Sequence, residues 1–373
     1  MTTTTAYGST ASSLNPPRTA VVTSLTLRDR SRGCLLGGAV GDALGAPVEF
    51  DALDTIRRRF GPQGITAFSP VYGRLGAITD DTQMTLWTAE GLIRAWVRGS
   101  LRGISTFPGC VGHAYLRWLR TQGKRPRPQV QIGEDGWLWG VQALWSLRAP
   151  GNTCLSSLST VACFGDFPAN DSKGCGGVMR VAPVGFIRPF GRPFAVGCDV
   201  ARLTHGHPSG YLAAGYFAAV IAAIADGCDL QAALGRADAD LDGCEGRDEV
   251  VRAVAAARAL AANGRTDVLP AELGAGWVAE EALAMALWCA LVGRDFRDAV
   301  VLAVNHGGDS DSIGSLTGQL LGALHGPDVI PAEWLEPLEL RAEIERLADD
   351  LATAFGDPAA DAEAMGQTDY PGW

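Results

Sequence analysis

Two short clusters of acids and hydroxyls, each placed where a helix begins, constrain this chain more than any other feature. The first is Thr79-Asp80-Asp81-Thr82; the second is Asp309-Ser310-Asp311-Ser312, which follows Asn305-His306-Gly307-Gly308. Behind the first, Met84, Trp87, Thr88, Gly91, Leu92 and Ala95 recur at the spacing of one helix face. Behind the second, Ile313, Leu316, Thr317, Leu320, Leu321 and Leu324 do the same. A helix start gathers free N–H groups and hydroxyls. A hard divalent cation wants several oxygen ligands converging from a rigid platform, and one such cluster supplies too few. The economical reading is that the two clusters, far apart in sequence, meet across one metal site.

The rest of the chain reads as helix. The 373 residues are 47% apolar and 19% charged, enough for a sizeable buried core in one large domain or two ordinary ones. Helical patterning begins near Thr26. The run 33–45, Gly-Cys-Leu-Leu-Gly-Gly-Ala-Val-Gly-Asp-Ala-Leu-Gly, is apolar and built of small residues, so it predicts a central helix that others approach closely. Further helices are expected over residues 54–60, 79–99, 107–122, 230–238, 248–263, 280–291, 295–304 and 340–355, with a helix pair over 201–225. No alternating run pairs with a neighbour through a hairpin turn, and nothing repeats at a solenoid period. The expected fold is therefore all-α and compact, with a single domain over 26–355, a disordered leader over 1–25 and a polar tail over 356–373.

Composition narrows the partners. A net charge of −10 argues against a general nucleic-acid-binding surface, but a helix start or a bound metal still supplies local positive potential for an anionic small ligand. Nine cysteines, an odd number without a Cys-x-x-Cys, fit reduced thiols in a cytoplasmic protein better than a disulfide framework or a zinc site. The Thr/Ser-rich start lacks the basic and apolar runs of a signal peptide. The Ala-rich run 211–225 is too short to span a bilayer comfortably and reads as a core helix, so no membrane partner is expected.

Thr79, Asp80, Asp81, Asp309, Asp311 and Ser312 offer more oxygens than one magnesium needs, which suits two cations bridged by a carboxylate. Neither cluster holds His or Cys, which favours Mg²⁺ or Mn²⁺ over zinc. Such a pair orients substrate oxygens and activates water, so hydrolysis or group transfer at a phosphate or sugar centre is the expected chemistry. The bland alternative is that each cluster merely caps its helix. Asp42, a lone acid in a small-residue run, reads equally as a buried tie or a ligand. The Gly-rich loop 170–180 suits phosphate groups and is expected to open another apolar helix. His205 and His207, with no carboxylate beside them, read as turn histidines bonded to neighbours or ligand rather than metal ligands.

Six segments in order give the chain a wider resemblance. Gly41-Asp42-Ala43-Leu44-Gly45 followed by Glu49, Thr79-Asp80-Asp81-Thr82, the loop 174–180, Thr204-His205, Gly276-Trp277 to Ala282, and Gly307-Gly308-Asp309-Ser310-Asp311-Ser312 together resemble the ADP-ribosylglycohydrolase family, over about residues 33–351. The resemblance implies an all-helical fold around a binuclear Mg²⁺ or Mn²⁺ centre. Its ligands are Thr79, Asp80, Asp81, Asp309, Asp311 and Ser312, the six residues selected above. It further implies Glu49 and Asp309 in catalysis, with Glu49 a mobile acid/base. Ser172, Lys173, Gly174, Cys175, Gly176 and Gly177 would cradle a diphosphate, and Asn152, Met179, His205, Gly307, Gly308 and Ser310 would complete the substrate pocket.

The implied reaction is hydrolysis of the bond between the distal ribose of ADP-ribose and an acceptor on a protein or a related conjugate. By the same resemblance, Cys175 stands where many relatives carry Asn. Ala149-Pro150-Gly151-Asn152 replaces the Asp-Ile-Gly-Asn of many arginine-type relatives, and Ser312 replaces a commoner Thr. The metal set is thus complete, while arginine, serine, a nucleobase and small-molecule leaving groups all stay open, and a monomer is expected. The rival readings are a non-catalytic binding or structural member of the family and a two-metal nucleotide phosphohydrolase.

Overall fold

The computed structural model describes residues 1, 25–163, 166–188 and 190–372. The leader expected over 1–25 falls almost wholly outside them. In chain order the α-helices are α1 (Leu27–Gly45), α2 (Leu53–Phe60), α3 (Asp80–Arg102), α4 (Phe107–Thr121), α5 (Asn152–Thr160), α6 (Pro193–Arg202), α7 (Pro208–Ala225) and α8 (Leu230–Leu241). They continue as α9 (Asp248–Ala262), α10 (Ala279–Val292), α11 (Phe296–Val304), α12 (Ser310–His325), α13 (Ala332–Leu335), α14 (Arg341–Gly356) and α15 (Ala362–Thr368). Among the described residues no strand forms; the bridges Val71–Arg74 and Gly174–Val278 stand alone. The all-α reading of the sequence is what the chain adopts.

The architecture turns on α1 and α12, which run antiparallel in close contact. Gly33, Gly37, Gly41 and Gly45 of α1 face Gly322, Gly318, Gly314 and Ser310 of α12 in that order, and a Cβ at any of the four would fall on the opposite backbone. The four-residue spacing puts all four on one helix face, so the small-residue run is a backbone-to-backbone ladder. It fixes the start of α12 beside the end of α1.

A second tie brings in α3. Asp42, fully buried in α1, accepts from the Thr79 N–H at 3.0 Å, from the Thr82 N–H at 3.1 Å and from the Thr82 hydroxyl. The lone acid of the small-residue run is thus the cap that holds the start of α3. α7 packs against α6, α8 and α10 as a core helix; it is long and apolar enough to span a bilayer, but 83% of it is buried within the fold.

Three expectations need correction. The loop 170–180 does not open an α-helix. It continues as two 3₁₀ turns, Cys175–Gly177 and Ala182–Phe186, where Pro183 removes a backbone donor and Gly185 lies flush against Ile221. The first helix of the pair expected over 201–225 is α6, which begins at Pro193 and ends at Arg202. The polar stretch after Gly356 folds back as α15 and delivers Tyr370, fully buried, with its hydroxyl 2.6 Å from Asp350.

Candidate active site

The ladder and the Asp42 cap place three helix starts around one cleft of about 470 Å³. α12 brings Asp309, Asp311 and Ser312; α3 brings Asp80 and Asp81; α5 brings Asn152, Thr153 and Cys154. The turn after α1 adds Glu49, which is held by a bond from its N–H to Gly45 O. Glu49, Asp309 and Asp311 each bring a carboxylate oxygen to within 4.8 Å of the others.

These acids are not spent on capping. Asp309 is the cap residue of α12, yet its side chain makes no capping bond. Its Oδ2 and Asp81 Oδ1 are buried without a hydrogen-bond partner, although both residues are only 3% exposed. A buried, unpartnered carboxylate oxygen is costly, so the pair marks a place for a ligand. Thr79 does cap, accepting from the Asp81 N–H at 3.2 Å, while Asp80 Oδ2 accepts from the Gly151 N–H at 3.3 Å and Asp311 Oδ1 from the Ser312 N–H at 3.0 Å.

Burial, followed by the charge of Asp311, pushes Asp80, Asp81 and Asp309 well above the usual carboxylate range. The same two causes raise Asp42 to about 7 and Glu49 to about 10. So many acids in one desolvated spot cannot all ionise without a cation among them. Their number, their oxygen chemistry and the two unpartnered atoms fit divalent metal.

Of the substrate-pocket residues, Asn152, Gly174, Cys175, Gly176, Met179 and His205 line this cleft. His205 is buried, with Nδ1 2.8 Å from the Thr204 hydroxyl; burial, then the nearby Arg180 charge, lowers it to about 3, so the imidazole is neutral. Gly176 and Gly174 lie against its other face, at the Cε1 and Nε2 edge. His207 is not at the cleft wall; its Nδ1 caps α7 by accepting from the Ser209 N–H at 3.1 Å.

Ser172, Lys173, Gly177, Gly307, Gly308 and Ser310 are not among the residues that line the cleft. Ser172 contacts the Thr153 hydroxyl, and the Lys173 ammonium turns away to Glu249 at 2.8 Å and to Glu280. Gly308 passes against Ala275, whose carbonyl takes the Asp309 N–H at 2.9 Å. Ser310 packs on Gly45.

The pattern of acids and glycines does not reveal the rim. Phe50 and Trp277 stack there, with ring centroids 5.4 Å apart and planes 15° from parallel. Phe50 sits at φ 70°, a left-handed backbone that nothing in the sequence around a Phe announces. Its only signal is adjacency to Glu49. Cys154 also lines the cleft, its sulfur 3.2 Å from the buried Arg180 guanidinium.

With this geometry in hand, comparison with known proteins is specific. The family model for ADP-ribosylglycohydrolase matches residues 23–361. The ADP-ribosyl-[dinitrogen reductase] glycohydrolase of Rhodospirillum rubrum is 28% identical over 348 residues, covering 90% of this chain and 99% of that one. An ADP-ribosylarginine hydrolase of Serratia proteamaculans is 26% identical over 91% of this chain and 82% of its own length. A solved structure described as an ADP-ribosylglycohydrolase-related protein complex matches with TM-score 0.64 and 30% identity, over 87% of this chain and 97% of that one. The chain belongs to the ADP-ribosylglycohydrolase family and is a hydrolase of glycosidic bonds to ADP-ribose.

Proposed function

We propose that the cleft hydrolyses the bond between the distal ribose of ADP-ribose and an acceptor, releasing ADP-ribose, with two Mg²⁺ or Mn²⁺ held by Thr79, Asp80, Asp81, Asp309, Asp311 and Ser312. The observation that carries this reading is the meeting of Asp309 and Asp311 with Glu49, beside unpartnered carboxylate oxygens on both helix starts. A bound divalent pair supplies Lewis-acid charge for ribose oxygens and makes a water acidic enough to attack at neutral pH.

The protein's own groups do the rest. The two clusters fix the ribose end over the floor of the cleft, and Glu49 at its edge is the group placed to move a proton. Burial and the neighbouring acids raise Glu49 to about 10, and positive charge held among those acids would bring it down toward the range of a working acid/base. The start of α5, with Asn152, and the turn 174–177 with neutral His205 form the opposite wall. There, a helix start and backbone N–H groups suit a diphosphate without adding a fixed charge. The acceptor leaves through the mouth between Phe50, Trp277 and Pro150. An ADP-ribosylated protein is the favoured substrate, in a cytoplasmic, monomeric enzyme. The nine cysteines, none of them in a disulfide, are consistent with a reducing compartment.

The test is release of free ADP-ribose from arginine-, serine- and nucleobase-linked conjugates and from α-NAD, with Mg²⁺ or Mn²⁺ and then with EDTA. Asp309→Ala and Asp80→Ala are expected to lower turnover by about 1,000-fold or more while the helical circular dichroism survives. Unchanged turnover in either variant, or in EDTA, sinks the metal assignment; phosphate as the product sinks the reaction.

A further inference from the structure

Neither acid cluster contains a soft ligand, yet the fold carries one in from a distant loop. Cys175 lies at the cleft wall with Asp309, Asp311 and Ser312, and the Ser312 hydroxyl points at its sulfur from 3.8 Å. Asp309 lines the same wall of the cleft as the thiol. Asp309 is the acid whose Oδ2 is buried and unpartnered, so an open carboxylate oxygen and the thiol belong to the same cleft. The backbone there is fixed: the Cys175 N–H donates to Trp277 O at 3.2 Å, and Ala279 N–H to Lys173 O at 2.8 Å. Such a loop fixes the Cys175 backbone beside the acid floor.

We infer that Cys175 is a metal ligand in waiting, which bonds a thiophilic divalent ion such as Cd²⁺ or Zn²⁺ together with Asp309 and leaves hard Mg²⁺ to the oxygens alone. Hard cations take oxygen donors, whereas thiolate selects borderline and soft ions. A mixed carboxylate–thiolate corner therefore binds the softer ion more tightly than the carboxylate floor would. On binding, the sulfur–metal bond forms and the thiol proton leaves to solvent, with no redox change. The consequence is a centre that heavy-metal ions capture in competition with its working cation. This rests on the proposed metal reading of the cleft.

The experiment is a Cd²⁺ titration of the full chain stripped with EDTA, followed by the ultraviolet sulfur-to-cadmium charge-transfer band. The wild type and Cys163→Ser, which removes an exposed thiol, are expected to show the band in a tight phase that excess Mn²⁺ displaces. Cys175→Ser should lose the band and bind Cd²⁺ on the order of 100-fold more weakly, and Asp309→Asn should weaken both. A band undiminished in Cys175→Ser, or one that Mn²⁺ does not displace, overturns the inference. If Cys175→Ser does not fold, iodoacetamide labelling of Cys175 in the wild type, read by peptide mass, replaces it: protection by Cd²⁺ supports the assignment and unchanged labelling overturns it. Mn²⁺ binding without a sulfur band leaves the hydrolase reading standing and removes this one; a sulfur band without ADP-ribose release does the reverse.

Discussion

At the start of α3 the neighbouring groups are polar ties. Asp42 takes the N–H groups of Thr79 and Thr82, Glu339 takes the N–H of Ile78 at 3.1 Å, and Arg148 O takes that of Asp80 at 3.0 Å. At the start of α12 the ties are chiefly steric: a ladder of glycines laid backbone against backbone, and Gly308 pressed on Ala275, with one backbone bond from Asp309 N–H to Ala275 O. Both starts reach the same floor and both expose acids to it. The difference teaches that a metal cradle needs rigid platforms, not one particular kind of glue. Hydrogen bonds hold α3 through directional contacts that one side-chain change removes, whereas α12 is held by shape, which any added atom destroys.

The largest effect should come from the steric side. A Cβ on Gly41 would overlap the Gly314 carbonyl, which has nowhere to move while three further rungs hold the helices together. Gly41→Ala is expected to cost about 3 kcal/mol in urea-induced unfolding, the range of overpacked cores. A loss under about 1 kcal/mol would mean that the two helices slide freely and would break the comparison. On the polar side, Asp42→Ala strands several buried donors and should cost about 2 kcal/mol. It also frees the α3 platform, so Mn²⁺ affinity, read by calorimetry, should fall about tenfold or more. Unchanged affinity would show that α3 holds its position without its cap.

Next in size is a pH effect that both platforms share. Asp42 rises from 3.8 to about 7 and Glu49 from 4.5 to about 10, with Asp80, Asp81 and Asp309 also raised. An acid whose folded pKa is raised binds more protons folded than unfolded between the two values, so stability falls as pH climbs through that window. Below about pH 6.5 the lowered histidines, His205 at about 3 and His306 at about 4, act in the opposite sense. The cation-free protein should therefore melt at a lower temperature at about pH 8.5 than at about pH 7. Saturating Mn²⁺ should reduce that drop to the smaller share left by thiols such as Cys34, Cys198 and Cys289, which burial also raises. A melting temperature that rises over this interval in EDTA would contradict the shared acid floor.

Much of this was legible in the sequence because its cause is local. Helix periodicity and the four-residue spacing of glycines are short-range patterns, and α3, α4, α9, α10, α11 and α14 begin and end within three residues of where periodicity puts them. The acid clusters were legible for the same reason. What stayed hidden depends on tertiary placement. That Asp42 caps a helix in another part of the chain, that Phe50 takes a left-handed backbone to stack on Trp277, and that Cys175 reaches Ser312 are facts of packing. Pro183 and the close approach of Gly185 to Ile221 turned an expected helix into 3₁₀ turns, where local propensity gave way to the space available.

The smallest effect sharpens the comparison with a third element, the loop 170–177, which could be held by charge, like a salt bridge, or by backbone. Lys173 joins Glu249 and Glu280, but its side chain is one-third exposed, so water screens the pairs. The backbone bonds of Ser172, Lys173 and Cys175 to His207, Ala279 and Trp277 are indifferent to that charge. Lys173→Met should accordingly cost no more than about 1 kcal/mol in urea unfolding. Because the ammonium points away from the cleft, KM for an ADP-ribose conjugate should change less than about twofold, a shift of under half a kcal/mol. A tenfold rise in KM at unchanged kcat would bring the ammonium round to the diphosphate, and the loop would then belong with α3 as an element positioned by charge rather than with α12.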